Sequence, residues 1–159
     1  MFAQLYAEAE QARWKLEELP WQTVDRAKVS PELIALVHDI AESEATTFSA
    51  TQRFLQDFAD DVELTNWIAV WFYEETKHPH VLLRWLAVLG EDHPSERMRR
   101  ARVTAPFMKS RMGTLVTNII SEIVASARYM NLAERSPEPV LAQIATCLAG
   151  DEARHAASF

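Results

Sequence analysis

Residues 71–78 read Trp-Phe-Tyr-Glu-Glu-Thr-Lys-His, and residues 148–155 read Leu-Ala-Gly-Asp-Glu-Ala-Arg-His. Each stretch ends in a Glu-x-x-His unit, Glu75 to His78 and Glu152 to His155. Residues three apart share a helix face, so each unit aims a carboxylate and an imidazole the same way. Both units lie in helical patterns. One runs Leu64, Ile68, Trp71, Glu75, His78, Leu82, Leu86 and Leu89, closed by Gly90. The other runs Leu141, Ile144, Leu148, Glu152, His155 and Phe159. Two more faces follow the same steps: Val37, Ala41, Glu44, Phe48, Thr51, Leu55 and Phe58, then Leu115, Ile119, Glu122, Ser126 and Tyr129. Each of the four largely apolar faces carries a carboxylate where a hydrophobe is expected. Burying one unpaired carboxylate is costly, and four in one core repel each other. Two bound divalent cations remove the conflict.

Spacing supports this reading independently. In an antiparallel helical hairpin, ligands at one height lie symmetrically about the turn. The midpoint of Glu44 and Glu75 falls at Ala59-Asp60, and that of Glu122 and Glu152 at Pro137, both at turn signals. The two intervals are 31 and 30 residues. One Glu from each of two helices with Glu-x-x-His from each of two others is the ligand set of ferritin-like di-iron and di-manganese proteins. The expected ligands are therefore Glu44, Glu75, His78, Glu122, Glu152 and His155. Glu42 lies about 160° from Glu44 around the helix, off the apolar stripe. Glu74 lies about 100° from Glu75 and is left outside the ligand set, beside it. Oxygen and imidazole donors without a thiolate suit iron, manganese and zinc alike.

The chain has 159 residues, 48% of them hydrophobic and 25% charged, as expected for one globular domain. Only three glycines are present, which argues against hairpins and phosphate-cradling loops. The longest apolar run, Trp67 to Tyr73, is far shorter than the ~20 residues of a membrane span. Cys147 is the single cysteine, so an internal disulfide and a multi-cysteine zinc site are excluded. These features point to the cytoplasm. The net charge of −7 disfavours nucleic acid as a partner. Arg97, Arg99, Arg100, Arg102, Lys109 and Arg111 nevertheless form a cationic stretch without an acid, where an acidic partner would dock.

The expected fold is all-α: an antiparallel four-helix bundle, ferritin-like, with an N-terminal helical extension. The extension covers residues 1–29, with a helix over 2–19 ended by Pro20. The first helix pair covers 30–90, a basic connection with one short helix covers 91–111, and the second pair covers 112–159. Ser30-Pro31-Glu32 and Ser136-Pro137-Glu138 both read as helix starts.

The two motif regions resemble the soluble acyl-carrier-protein desaturases. Trp71 to His78 is similar to that family's Trp-Thr-Ala-Glu-Glu-Asn-Arg-His. The segment Leu141-Ala-Gln-Ile…Ala-Gly-Asp-Glu-Ala-Arg-His155 is similar to its Leu-Ala-Gln-Ile…Ala-Ala-Asp-Glu-Lys-Arg-His. The likeness spans residues 30–159 loosely and is specific around the motifs. It implies two iron ions on the six ligands, with manganese or a mixed pair as the other option, and O2 activation for oxidation of an acyl or similar apolar substrate. It further implies an electron donor such as a ferredoxin, an acidic acyl carrier at the cationic stretch, and a homodimer. Asp151 would orient the imidazole of His78; read alone, it is equally an exposed helix acid. Four departures stand out. Ala125 replaces the family's threonine, Pro79 follows the first histidine, the two halves are closer in sequence, and the family helix continues beyond the position of Phe159. Pro79 cannot donate to the carbonyl of Glu75, so a kink is expected there. A ligand in the last turn would need bracing, by further chain or by a neighbouring subunit.

Met108, Met112, Phe107, Trp67, Trp71 and Tyr129 are candidates to line a substrate cavity, or simply core. Two other functions compete. A bacterioferritin-like ferroxidase would use the same ligands. A metal-free interaction module would instead neutralise the carboxylates with Arg128 or Arg154. A rubrerythrin-like peroxidase lacks its cysteine set, and Leu82 stands where a ribonucleotide-reductase subunit has its radical tyrosine.

Overall fold

The computed structural model describes residues 2–93, 95–102 and 110–159. It is all-α, with no strand among the described residues. The order is α1 (Phe2–Ala12), α2 (Pro31–Glu44), α3 (Thr47–Asp57), α4 (Val62–Glu75), α5 (Lys77–Val88), α6 (Ser95–Ala101), α7 (Arg111–Arg135) and α8 (Pro139–Ser158). Three 3₁₀ turns, at Leu16–Glu18, Trp21–Thr23 and Arg26–Lys28, join α1 to α2. None of these helices is long and apolar enough to cross a membrane.

Two helical hairpins pack on each other. In the first, α3 packs on α4 near the turn and α2 on α5 farther away; in the second, α7 packs along α8. Contacts of α5 with α8 and of α3 with α7 join them, while α1 lies on α4. The core has two parts. Val37, Ala41, Leu82, Trp85, Leu141, Ile144 and Leu148 fill one end, and Ala50, Phe54, Trp67, Ile68 and Trp71 the other.

Local chemistry explains most boundaries. Ser30 accepts from the Leu33 amide at 3.2 Å with Pro31 as the first helical residue. Asp61 accepts from the Leu64 amide at 3.0 Å, starting α4. At the end of α5, Gly90 has φ 78°, its amide donates to Ala87 and the Glu91 amide to Leu86. That pairing satisfies the last carbonyls and requires the left-handed conformation glycine adopts freely.

Three expectations are corrected, and the kink expected at Pro79 is located. The first helix ends at Ala12 rather than running to residue 19. Beyond it, Trp14 donates to Asp151 at 2.8 Å and Trp21 to the Leu16 carbonyl at 2.7 Å, so one long-range anchor and one local side-chain bond override helix propensity. Helix α8 starts at Pro139, not at Pro137, with Glu138 as its cap. Pro139 biases the preceding residue away from helical geometry, and Glu138 is extended accordingly. Its carboxylate accepts from the Val140 and Leu141 amides and from the Trp85 indole.

The helix over 31–58 breaks at Ala45-Thr46, where Thr46 donates its hydroxyl to Ser43 and Ser49 to Thr46. Such side-chain bonds to the backbone compete with the helical ladder. The break advances the buried face by one residue: Val37, Ala41 and Ala45 are followed by Ala50, Phe54 and Phe58, and Leu55 is exposed. The helix over 62–89 breaks at Thr76, as Pro79 predicts. Pro79 thereby falls in the first turn of α5, where an absent N–H leaves no bond unmade.

Candidate metal centre

Both breaks sit beside a glutamate of the cluster. Glu44 is the last residue of α2 and Glu75 the last of α4, while His78 is the second residue of α5. Glu122 comes from the middle of α7, and Glu152 and His155 from α8. All six expected ligands meet. Glu44 is nearly buried, the other three glutamates are buried, and both histidines have no exposed surface.

The donors form two quartets, Glu44, Glu75, His78 and Glu152, and Glu75, Glu122, Glu152 and His155, with donor atoms within 4.8 Å in each. Glu75 and Glu152 belong to both. Each turns one oxygen to each imidazole: Glu75 Oε2 is 3.8 Å from His78 Nδ1, and its Oε1 is 2.8 Å from His155 Nδ1. Glu152 Oε1 is 3.3 Å from His78 Nδ1, and its Oε2 is 3.7 Å from His155 Nδ1. Glu44 Oε2 lies 3.4 Å from His78 Nδ1, and Glu122 Oε2 lies 3.9 Å from His155 Nδ1.

The far side of each imidazole meets a buried carboxylate. His78 Nε2 is 3.4 Å from Asp151, and His155 Nε2 is 3.1 Å from Glu74. Donation from Nε2 leaves Nδ1 as a bare lone pair facing the cluster, the tautomer a metal ligand needs. Asp151 is buried and not an exposed helix acid. Arg154 ties the two carboxylates together, reaching Glu74 at 2.7 Å and Asp151 at 3.1 Å. It therefore does not neutralise the four central glutamates, and among the described residues Arg128 has no acid in contact.

The fit to metal is tested by what lacks a partner. His78 Nδ1, His155 Nδ1, Glu75 Oε1 and Glu152 Oε2 are buried without a hydrogen bond. His155 Nδ1 and Glu75 Oε1 are close but misaligned for one. An orphaned buried polar group costs about 1–3 kcal/mol, and four of them converge on one spot. Two divalent cations would satisfy all four.

Without metal, protons take the cations' place. Burial, with the neighbouring carboxylates, raises the Glu44 carboxyl above the usual range and pushes that of Glu122 up to about 11. Burial opposes charge on both imidazoles, yet the carboxylates facing them raise His78 and His155 above the ordinary histidine value. Glu152 is held low despite its burial, by the Glu122 carboxyl and the two imidazoles. Asp151 is also held low despite burial, by His78, Lys77 and Trp14.

Several polar partners were invisible in the sequence. Tyr129 donates to Glu44 at 2.6 Å, and Thr47 to Glu75 at 3.1 Å. Trp71 and Asn118 donate to Glu122 at 3.0 and 2.8 Å. A cavity of about 1090 Å³ between α2, α3 and α7 reaches the cluster at Glu44, Glu75, Glu122 and Glu152. Trp71, Ala125 and Tyr129 line it. Trp67 instead packs against His155 and Phe159, and Met112 is exposed. Phe107, Met108 and Lys109 lie outside the described residues. The last turn of α8 is braced from within: the Phe159 ring stacks on Phe54 at 5.2 Å and meets Trp71 edge-on at 5.3 Å.

The cationic stretch is engaged within the chain. Arg97 reaches Glu42 and Asp39, Arg99 and Arg100 pair with Glu96, Arg102 covers the Phe48 ring and Arg111 pairs with Asp60. Glu42 is thereby committed away from the cluster. Compared with protein-family profiles, curated proteins and solved structures, the chain matches none.

Proposed function

We propose that this protein is a ferritin-like, two-metal oxidoreductase that activates O2 to oxidise an acyl or similar apolar substrate. The observation that carries the reading is the sharing of Glu75 and Glu152 between two histidine-capped quartets. When bound, a pair of iron ions, or manganese in their place, supplies the redox chemistry that side chains lack. Glu44, Glu75, His78, Glu122, Glu152 and His155 would hold the pair, with Glu74 and Asp151 fixing the imidazole tautomers. The cavity gives an apolar molecule a route to that centre and favours an organic substrate over iron storage. The orphaned donors weigh against a metal-free module, whose core would leave them unsatisfied. Tyr129 and Thr47 place hydroxyls at the centre on the side of α2 and α3, where Ala125 has none. Electrons would come from an external donor such as a ferredoxin. A homodimer would use the apolar row that α7 leaves exposed, Met112, Val116, Ile120, Ile123 and Met130.

Metal analysis by inductively coupled plasma spectrometry after anaerobic ferrous loading tests the reading. Two metals per wild-type chain are expected, one in Glu122→Ala, and none held tightly in Glu75→Ala, because Glu75 serves both quartets. Equal metal content in all three would overturn it. Size-exclusion mass separates the ferroxidase reading, since a storage cage is many times larger than a dimer.

A further inference from the structure

Almost every described lysine and arginine has an acid or an aromatic ring in contact. Arg154 on Glu74, Arg97 on Glu42, Arg111 on Asp60 and Arg84 over Trp21 are examples. Among the described residues Arg128 and Arg135 have neither, and both line the cavity that ends at the carboxylate–histidine cluster. They are seven residues apart on α7, so they lie on nearly the same face, about two turns or roughly 10 Å along the axis. Leu33, Leu36, Ile40 and Leu132 line the same cavity and provide an apolar track.

We infer that Arg128 and Arg135 hold the oxyanion head of a single apolar chain, which runs along Leu36, Ile40 and Leu132 to the cluster. Guanidinium forks match carboxylate and phosphate oxygens bidentately, and charge-assisted bonds of this kind are the strong ones. The two cations also give an anion a positive local field in a chain whose net charge, these arginines included, is −7. From Glu122 the axial distance is roughly 9 Å to Arg128 and roughly 20 Å to Arg135, at 1.5 Å per residue. That span sets the position along the chain presented to the centre. An acyl thioester has no oxyanion at its carbonyl, so the geometry selects a free acid or a phosphate ester. The assignment of that chain as substrate rests on the proposed function; its binding does not.

Isothermal titration calorimetry on the purified full chain tests the inference with octanoate, octyl phosphate and octan-1-ol. The variants are Arg128→Gln, Arg135→Gln, the double variant, Arg128→Lys, and Arg99→Gln as a control outside the cavity. The anionic chains should bind the wild type more tightly than octanol. The double variant should bind them at least about tenfold more weakly, with octanol unchanged and the Arg99→Gln control like wild type. Each single variant should fall between, and Arg128→Lys should recover part of the loss. Tighter octanoate or tighter octyl phosphate identifies the head group. Octanol binding as tightly as octanoate, unaltered octanoate affinity in the double variant, or no binding of any probe would overturn the inference. Metal content measured on the same samples separates the two failures: anion binding without metal sinks the proposed function alone, and metal without arginine-dependent binding sinks this inference alone.

Discussion

The phenolic hydroxyl of Tyr129 donates to Glu44 across 2.6 Å, from the C-terminal third of α7 to the last residue of α2. Glu44 belongs to one quartet only, and Tyr129 is the contact that holds its carboxylate from the cavity side. Burial and the Glu44 charge both push the phenol upward, so it remains a donor across the physiological range. Tyr129→Phe should therefore weaken one metal of the two, by about tenfold, and leave the other unchanged. A two-site metal titration followed by competition with a chelator reads the two affinities. Equal weakening at both sites would show that the hydroxyl acts through the fold and not through Glu44.

Asp151 and Glu74 stand behind different imidazoles, so their variants should separate the sites. Asp151→Asn should weaken the His78 quartet and Glu74→Gln the His155 quartet, each by about 10–100-fold. Both amides preserve volume, and Arg154 keeps an oxygen partner in each case. Metal titration with circular dichroism as a folding control checks the outcome. Loss of the same site in both variants would contradict the assignment.

Metal-free protein should lose thermal stability as pH rises from about 6.5 to 9. Glu44 and Glu122 have raised values in the fold, so their contribution is full below the ordinary carboxylate value and is lost with rising pH. His78 and His155 are also raised, and their contribution is complete below about 6.5 and lost as pH climbs through the folded values. Asp151, Glu74 and Glu152 are lowered, so their contribution is lost only as pH falls, far below this window. Metal displaces the protons and should reverse the slope. Calorimetric melting with and without chelator decides; a rising melting temperature in metal-free protein would be the wrong sign.

Phe159→Ala should destabilise the fold by about 2–3 kcal/mol, below the 3–5 typical of a fully buried phenylalanine because this ring is only part-buried. The ring closes the aromatic cluster of Phe54, Trp67 and Trp71 one turn after His155. Chemical denaturation measures the loss. The same variant should weaken the metal of the His155 quartet, and undiminished affinity there would show that α8 holds its last turn without the ring.

The residues of the carboxylate–histidine cluster and the hairpin turns were legible in the sequence because helical periodicity is a local rule: a carboxylate on an apolar stripe stands out whatever surrounds it. Pro79 likewise announced the break at Thr76. The break after Glu44 had no proline or glycine to mark it, and it moved the buried face from Leu55 to Phe54. Serine and threonine hydroxyls bond the backbone there, a choice that becomes favourable only when the neighbouring helices reward the new phase.

By itself, then, the amino-acid order determined the all-α class, the two Glu-x-x-His units and their matching single glutamates, since each follows from spacing along one helix. Tertiary structure alone decided which carboxylates are shared, that Glu74 and Asp151 back the imidazoles, and that Tyr129 holds Glu44. It also decided that Arg97, Arg99, Arg100 and Arg111 pair within the chain while Arg128 and Arg135 line the cavity. These are contacts between residues far apart in sequence, and their partners are chosen by how helices pack, which no local period encodes.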